Sequence, residues 1–416
     1  MKAIGAVIAV ACAASAGAQV HFPPADGSWP TVDPVDLGWC PEAVDSLVAF
    51  ADAQDSKALI VLHQGRIAVE HYAPDFGPDS VWYWASAGKS VLSTLVGLAE
   101  AEGLLGLDDA MSAHLGTGWT SLDSASEWSI SVEHALSMTT GLDDGVEQPD
   151  CTDPECLVGL VDPGTRWAYH NGPYTLLHEV LASAVGMGVN PWLWTRLFQP
   201  IGAAGAYSTV PSSPYNRVLF STARDMARFG LLVSAGGDWD GEQVIPAAYV
   251  SDMLQPHQPL NSCYGWLWWL NSGGSHMLPQ LQWTFDGPLV EGAPADLVMA
   301  LGKNDQKLHI HPSLDLVVVR MGNPTSTSTL APSAFDALLW ERIAALPCPQ
   351  TVEALDVSQP WPNPVRAGSP VHGLAPGPWT WFGWDGRAVQ SGTVAPDVPG
   401  VYVLRSDGVA HRFVVN

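Results

Sequence analysis

The chain is 416 residues long and carries 17 lysine and arginine residues against 42 aspartate and glutamate residues, a formal charge of −25 with neutral histidines. So acidic a balance argues against nucleic acid and anionic lipid as partners. Residues 1–18 form a short apolar run behind Lys2 and end in Ala16-Gly17-Ala18, the small-x-small pattern of a secretory signal peptide. Cys12, preceded by Ala9-Val10-Ala11, offers a lipoprotein cysteine as the alternative. That run is too short to anchor the chain across a bilayer, and no later segment is long and apolar enough to cross one. The expected location is therefore secreted or periplasmic. Lys2 is the only charge lost with the leader, so the mature chain would stand at −26.

Residues 19–38, rich in Pro, Gly and Asp, read as a segment leading to the first helix, where Pro41 suits the first turn and Val44, Leu47, Val48 and Phe50 supply an apolar stripe. A hairpin is expected next, with Ala58–Leu62 and Ile67–Tyr72 joined around Gln64-Gly65. From Ser86 to Tyr207 the chain reads as mainly helical, and a further helix is expected within Asn216–Val233. Leu316–Arg320 reads as a buried strand, and a last helix is expected over Ala331–Leu346. Strands at both ends with helices between predict one α/β (α+β) domain over 39–348, whose sheet collects distant segments and whose length easily buries a core. The texture changes over 349–416 to Pro, Gly and short alternating strands, with Asp407-Gly408 as a hairpin signal. This stretch reads as a small β module without a catalytic constellation.

Ser86-Ala87-Gly88-Lys89 is the stretch richest in chemistry. Val91, Leu92, Leu95, Val96, Leu98 and Ala99 recur behind it at helical spacing, which puts Ser86 in the first turn and Lys89 one turn along the same face. A buried lysine can lose its proton near neutral pH and serve a serine nucleophile as its base. Alone, the Ser-x-x-Lys pair is a weak signal and reads rather as the serine-capped start of a surface helix with a solvated lysine. A phosphate-binding loop is excluded because its first glycine would fall on Tyr83, and the chain has no Gly-x-Ser-x-Gly elbow. His309-x-His311 puts two imidazoles on one strand face, but no third ligand is evident, so packed or surface histidines are expected and no metal. The tryptophans around the motifs, at 82, 84, 167, 266, 268, 269 and 283, read mostly as core, some of them as pocket wall.

Several further segments, in order, resemble the penicillin-recognising serine hydrolases of the class C β-lactamase type, and within them the esterase and 6-aminohexanoate-oligomer hydrolase branch. The resemblance runs from about Ser86 to Leu346 and rests on Trp128–Leu142, on Pro163–Gly172 with its Tyr169-His170-Asn171, on Thr222–Gly230 and on Tyr264–Leu270. It implies a β-lactamase/transpeptidase-like fold, an antiparallel sheet flanked by helices with an inserted all-helical region. It implies Ser86 as nucleophile, Lys89 and Tyr169 as proton-transfer groups, and Asn171 as a group orienting Lys89 or a substrate carbonyl. A third element falls on Ala300-Leu301-Gly302, with the N–H groups of Lys303 and Ser86 as oxyanion donors and Gln306 beside them. His170 is a pocket-lining residue on this reading. No cofactor is implied.

The expected activity is hydrolysis of small esters or uncharged amides through a Ser86 acyl-enzyme. β-Lactamases and D-Ala peptidases carry Lys-Thr-Gly or a close variant at the third element, whereas Ala300 and Leu301 offer a carboxylate neither charge nor hydrogen bond. Lys303 would face away from residue 300 if the strand continued. The alternatives are a β-lactamase or D-Ala peptidase, and a catalytically silent binding protein on the same fold. Packing of the first helix against the last, as the resemblance implies, predicts a Cys40–Cys348 disulfide beside a local Cys151–Cys156 bridge, with Cys263 left free.

Overall fold

A computed structural model describes residues 20–348 except 27, 212 and 327–329, and further on 367–369, 371, 378–383, 388–398, 400–406 and 409–415. The leader with Cys12, and Asp407-Gly408, lie outside the described residues. The chain divides into two units, Met1–Pro347 and Cys348–Asn416.

The first unit opens with α1 (Pro41–Ala53), which starts on its proline, followed by the hairpin β1 (Ser56–His63) and β2 (Arg66–Tyr72). Then come β3 (Trp82–Tyr83), α2 (Gly88–Ala101), α3 (Asn171–Val185), β4 (Ala206–Val210), β5 (Ser213–Ser221) and α4 (Ala223–Ser234), with shorter helices between α2 and α3. The unit closes with β6 (Trp269–Leu270), β7 (Val298–Gly302), β8 (Gln306–His311), β9 (Leu316–Gly322) and α5 (Ala334–Ala344). Six strands form one antiparallel sheet in the order β2-β1-β9-β8-β7-β6. Leu59, Ile60, Val61 and Leu62 are all buried although alternate side chains face opposite ways, so both faces are covered. Helices α1 and α4 pack on this sheet, and α1 also meets α5. Among the described residues of the second unit, β10 (Thr380–Gly383), β11 (Ala388–Ser391), β12 (Gly400–Ser406) and β13 (Val409–Val415) form a sheet in the order β11-β10-β12-β13.

This is the β-lactamase/transpeptidase-like fold. Asn216–Ser221, however, belongs to strand β5 rather than to the helix after it. The helix starts only at Ala223, because the Thr222 hydroxyl accepts from the Asp225 N–H while the Asp225 carboxylate accepts from the Thr222 N–H, a capping box that fixes its first turn. A similar reciprocal cap of Ser333 and Asp336 starts α5 at Ala334, three residues later than the composition suggested.

Helix α2 is the interior element: every residue from Gly88 to Ala99 is buried. Its hydroxyls are satisfied locally, Ser90 Oγ donating to Leu267 O at 2.7 Å and Thr94 Oγ1 to Ser90 O at 3.1 Å. A second buried polar cluster sits on the sheet. Lys307 and Arg320 face each other directly across β8 and β9, fully buried, a like-charge pair that would be unfavourable alone. Two carboxylates offset it: Lys307 Nζ lies 2.8 Å from Asp336 Oδ2 and 3.2 Å from Asp305 Oδ1. Burial alone would raise the Asp336 carboxyl, but Lys307 and His309 hold it below its ordinary value. His309 is fixed as well, because Trp340 Nε1 donates to its Nδ1 at 2.8 Å, which leaves its Nε2–H for Asp336 Oδ1 at 3.0 Å. Arg320 donates to the carbonyls of Asn304 and Asp305 at 3.0 Å and of Gln54 and Asn323 at 2.8 Å. Replacing Lys307 by Met would leave two buried carboxylates without their cation, and we expect a loss of about 3–5 kcal/mol in urea unfolding. A loss below about 1 kcal/mol would show that the carboxylates rearrange or take up protons at little cost.

Candidate active site

Trp84 ends the approach to α2, and Ala85–Ala87 make one tight turn before the helix. Ala85 sits at φ +48°, a left-handed conformation uncommon for a residue with a Cβ, so Ser86 is presented on a strained turn. Two hydrogen bonds hold that turn to β5: the Trp84 N–H donates to Leu219 O, and its indole Nε1 donates to Ser221 Oγ, both at 2.8 Å. From the opposite side Gly302 at the end of β7 touches it. A Cβ on residue 302 would lie 2.2 Å from Trp84 O and 3.1 Å from Ala87 N, so glycine is required by the close approach of two backbones.

One turn into α2, Lys89 Nζ stands 3.0 Å from Ser86 Oγ. The amine is buried beneath two phenol rings, 4.1 Å from the ring centre of Tyr174 and 5.1 Å from that of Tyr169. Burial pulls its pKa down to about 7, with the charge of Asp150 working in the opposite direction. Near neutral pH a large share of the molecules therefore carries a free amine beside the serine. Tyr169, stacked on Trp269 at 5.7 Å between ring centres, has its phenol pushed above the ordinary value by burial, and interaction with the Ser86 hydroxyl opposes that shift.

Ser86, Lys89 and Tyr169 line one cavity of about 880 Å³, together with Asn171, Lys303 and Asn304. Its walls come from loops, Asp144–Val146, Pro149-Asp150, Pro279-Gln280 and Leu330-Ala331, and from strands β4 and β5 through Val210 and Asn216–Val218. Asn171, the first residue of α3, donates from Nδ2 to Asp150 Oδ1 at 2.7 Å. Its donors thus face the loop.

The third element differs from the sequence expectation in two respects. Lys303 does not continue β7: Lys303–Asp305 form a tight turn with Asn304 at φ +62°, so strand alternation stops and Lys303 lines the cavity. Gln306 is wholly buried and serves the backbone, donating from Nε2 to the carbonyls of Asn304 and Gly322 at 2.7 Å while its Oε1 accepts from the Gly322 N–H at 3.1 Å. It is not among the cavity residues, because the turn before it directs its side chain into the sheet's end. Ala300 and Leu301 are buried. His170 is buried too, away from the cavity wall, and burial lowers its pKa to about 4 against the pull of Asp144 and Asp143. His311 is paired with Asp296 at 3.1 Å, so neither histidine of the His-x-His pair faces the cavity. No group of three or more potential metal-ligating side chains occurs among the described residues.

Tyr174 and Asp150 were not anticipated. Tyr174 follows Asn171 by one helical turn, a spacing that could have revealed it. Asp150 meets Asn171 across 21 residues of irregular loop, which no local pattern reports. Cys151 and Cys156 are bridged directly after Asp150, Cys40 and Cys348 are each disulfide-bonded, and Cys263 is a buried free thiol.

The sequence model of the Beta-lactamase family matches residues 48–337, which include the serine, its lysine and every cavity residue. The chain belongs to the Beta-lactamase family. Among curated proteins it is 25% identical over 161 residues to the "Putative penicillin-binding protein PbpX" of Bacillus subtilis (strain 168), a match covering 36% of this chain and 38% of that relative. The match thus spans well under half of the relative's length. Among solved structures, a penicillin-binding protein homologue from Caulobacter crescentus superposes with a TM-score of 0.58 at 16% identity, covering 76% of this chain and 99% of that one. EstCE1, described as a hydrolase with promiscuous acyltransferase activity, superposes with a TM-score of 0.53 at 14% identity, covering 73% and 97%. At such identities these two report the fold alone.

Gly302→Ala tests the contact between β7 and the nucleophile turn. Neither backbone can move aside as a flexible side chain would, so we expect a fall in hydrolytic kcat of about 100-fold, from displacement of Ser86 by a fraction of an ångström, with a lower melting temperature. Unchanged kcat and melting temperature would show that the turn accommodates the methyl group.

Proposed function

We propose that this protein hydrolyses small esters or uncharged amides through an acyl-enzyme on Ser86. The observation that carries the reading is the buried Lys89 amine, 3.0 Å from Ser86 Oγ and with its pKa drawn down to about 7. As Ser86 Oγ attacks the substrate carbonyl, its proton passes to Lys89, and the oxyanion is met by the backbone N–H groups of Ser86 and Lys303. Tyr169 keeps its proton at neutral pH because burial raises its pKa, which suits it to give that proton to the leaving group and regain one from the Lys89 ammonium. Water then repeats the sequence on the acyl-enzyme. Every cavity residue lies within the first unit, which supports a role for 349–416 outside the chemistry. The 1–18 leader and the disulfides support secretion or a periplasmic location.

The preference for uncharged acyl groups rests on Ala300 and Leu301, buried where a carboxylate would need a cation and a hydroxyl. Lys303 gives the rival reading, a β-lactamase or D-Ala peptidase, its specific support, since it lines the cavity. It is an exposed lysine, however, and a charge pair formed in water contributes little, about 0–1 kcal/mol. We expect kcat/KM for short p-nitrophenyl esters to exceed that for a penicillin or cephalosporin. The reverse order would install the rival.

Two measurements test the mechanism. Ser86→Ala should abolish ester turnover and labelling by a fluorophosphonate probe, whereas a silent binding protein would not label even with Ser86 present. The pH profile of kcat/KM should rise through about pH 7 with unit slope, because only the unprotonated Lys89 accepts the proton. A profile flat from pH 5 to 9 would remove Lys89 as the base.

A further inference from the structure

Asp150 lies on the cavity wall at the end of the loop that the Cys151–Cys156 bridge closes. This loop is fastened to the start of α3 at two points. The Gly172 N–H donates to Pro149 O at 3.0 Å, and Asn171 Nδ2 donates to Asp150 Oδ1 at 2.7 Å. The approach is close enough that a Cβ on residue 172 would stand 2.7 Å from Cys151 O, so Gly172 permits the contact. A carboxylate oxygen accepts, so the amide of Asn171 must turn its NH2 toward Asp150. That leaves Asn171 Oδ1 as the other end of a fixed amide, buried and without a hydrogen-bond partner, in a residue that lines the same cavity as Lys89.

We infer that Asp150 is a positioning residue for the catalytic amine: it locks Asn171 with its carbonyl oxygen as the polar atom available to the cavity, and it supplies the negative charge that compensates Lys89 once the serine proton has arrived there. This rests on the proposed role of Lys89 as base. The other groups around the amine do not carry a compensating negative charge. Tyr169 and Tyr174 are phenols kept protonated by burial, and His178 on α3 is buried with its pKa lowered to about 3. Among the charged cavity residues, Arg217 and Lys303 are cationic, and Asp144 is paired with Arg166 at 2.5 Å. The charge of Asp150 is the one that acts on Lys89, raising its proton affinity against burial. An oriented acceptor also changes what Asn171 can do for a substrate: it suits an N–H group, whereas a carbonyl would have to reach the NH2 end that is turned to Asp150.

The test uses the full-length mature enzyme with a p-nitrophenyl ester. Asp150→Asn removes the charge at nearly constant shape. We expect the acid limb of kcat/KM to move to lower pH, by roughly half to one unit, because the free amine then persists to lower pH, while kcat on the plateau falls about tenfold because the ammonium is less well stabilised. Asp150→Glu keeps the charge and should leave the limb within about 0.3 units of the parent. Asp153→Asn removes a charge from the same loop that bonds Tyr215 instead, and should leave both limb and kcat unchanged. If Asp150→Asn does not fold, Asp150→Ser is read for the same shift. An acid limb that stays in place or moves upward when Asp150 loses its charge, or that moves equally in Asp153→Asn, would overturn the inference. Ser86→Ala inactivity together with an unmoved limb would leave the acyl-enzyme reading standing and remove only the role of Asp150.

Discussion

The removal of one amine from water is the constraint on which the site depends. Lys89 lies on the buried stretch of helix α2 under two phenol rings, and its desolvation converts an ordinary ammonium into a group that shares its proton near neutral pH. A helix so deeply buried needs its other polar side chains satisfied, and Ser90 and Thr94 meet that need with backbone carbonyls. The amine of the same helix is instead aimed at Ser86, to which it donates at 3.0 Å. Reactivity is thus produced by the same burial that holds the domain together.

Around that helix the structure separates rigid parts from variable ones. The strained Ala85–Ala87 turn is gripped from β5 by Trp84 and from β7 by Gly302. Behind β7, the turn carrying Lys303 and Asn304 is tied down by Arg320, which saturates two of its carbonyls, and by Asp305 within the Lys307–Asp336 cluster. Two buried cations on neighbouring strands would be a poor feature of a sheet by themselves. Here they act through carboxylates and carbonyls to fix the turn that brings Lys303 and Asn304 to the cavity.

Much of this architecture is legible in the sequence because it is local. Ser86 and Lys89 lie three residues apart with a helical apolar run behind them, and the β1–β2 hairpin, α1 and β9 follow from short patterns. Tyr169 comes from resemblance alone, since nothing in a Tyr-x-Asn tripeptide sets it apart from a half-buried aromatic. Both misplacements fall at one turn. Lys303 was assigned to a face by strand alternation and Gln306 to the oxyanion site by resemblance, but Asn304 at φ +62° interrupts the strand, bringing Lys303 to the cavity, and Gln306 turns into the sheet. Asp150 and Asp336 are silent in the sequence for a different reason: their partners stand 21 and 29 residues away in the chain. Tertiary packing chose those pairs.

The contact of Gly302 with the Trp84 carbonyl has a consequence for how such an enzyme can diverge. With no space between the Ala85–Ala87 turn and β7, neither element can change shape without displacing the other, so that pair is closed to variation. The cavity walls are of another kind. Val146, Pro149, Gln280 and Leu330 all sit on connections between elements. New substrates would therefore be reached by exchanging loops of different length and polarity around an unaltered centre. Descendants of this chain would keep one chemistry while changing what it is applied to.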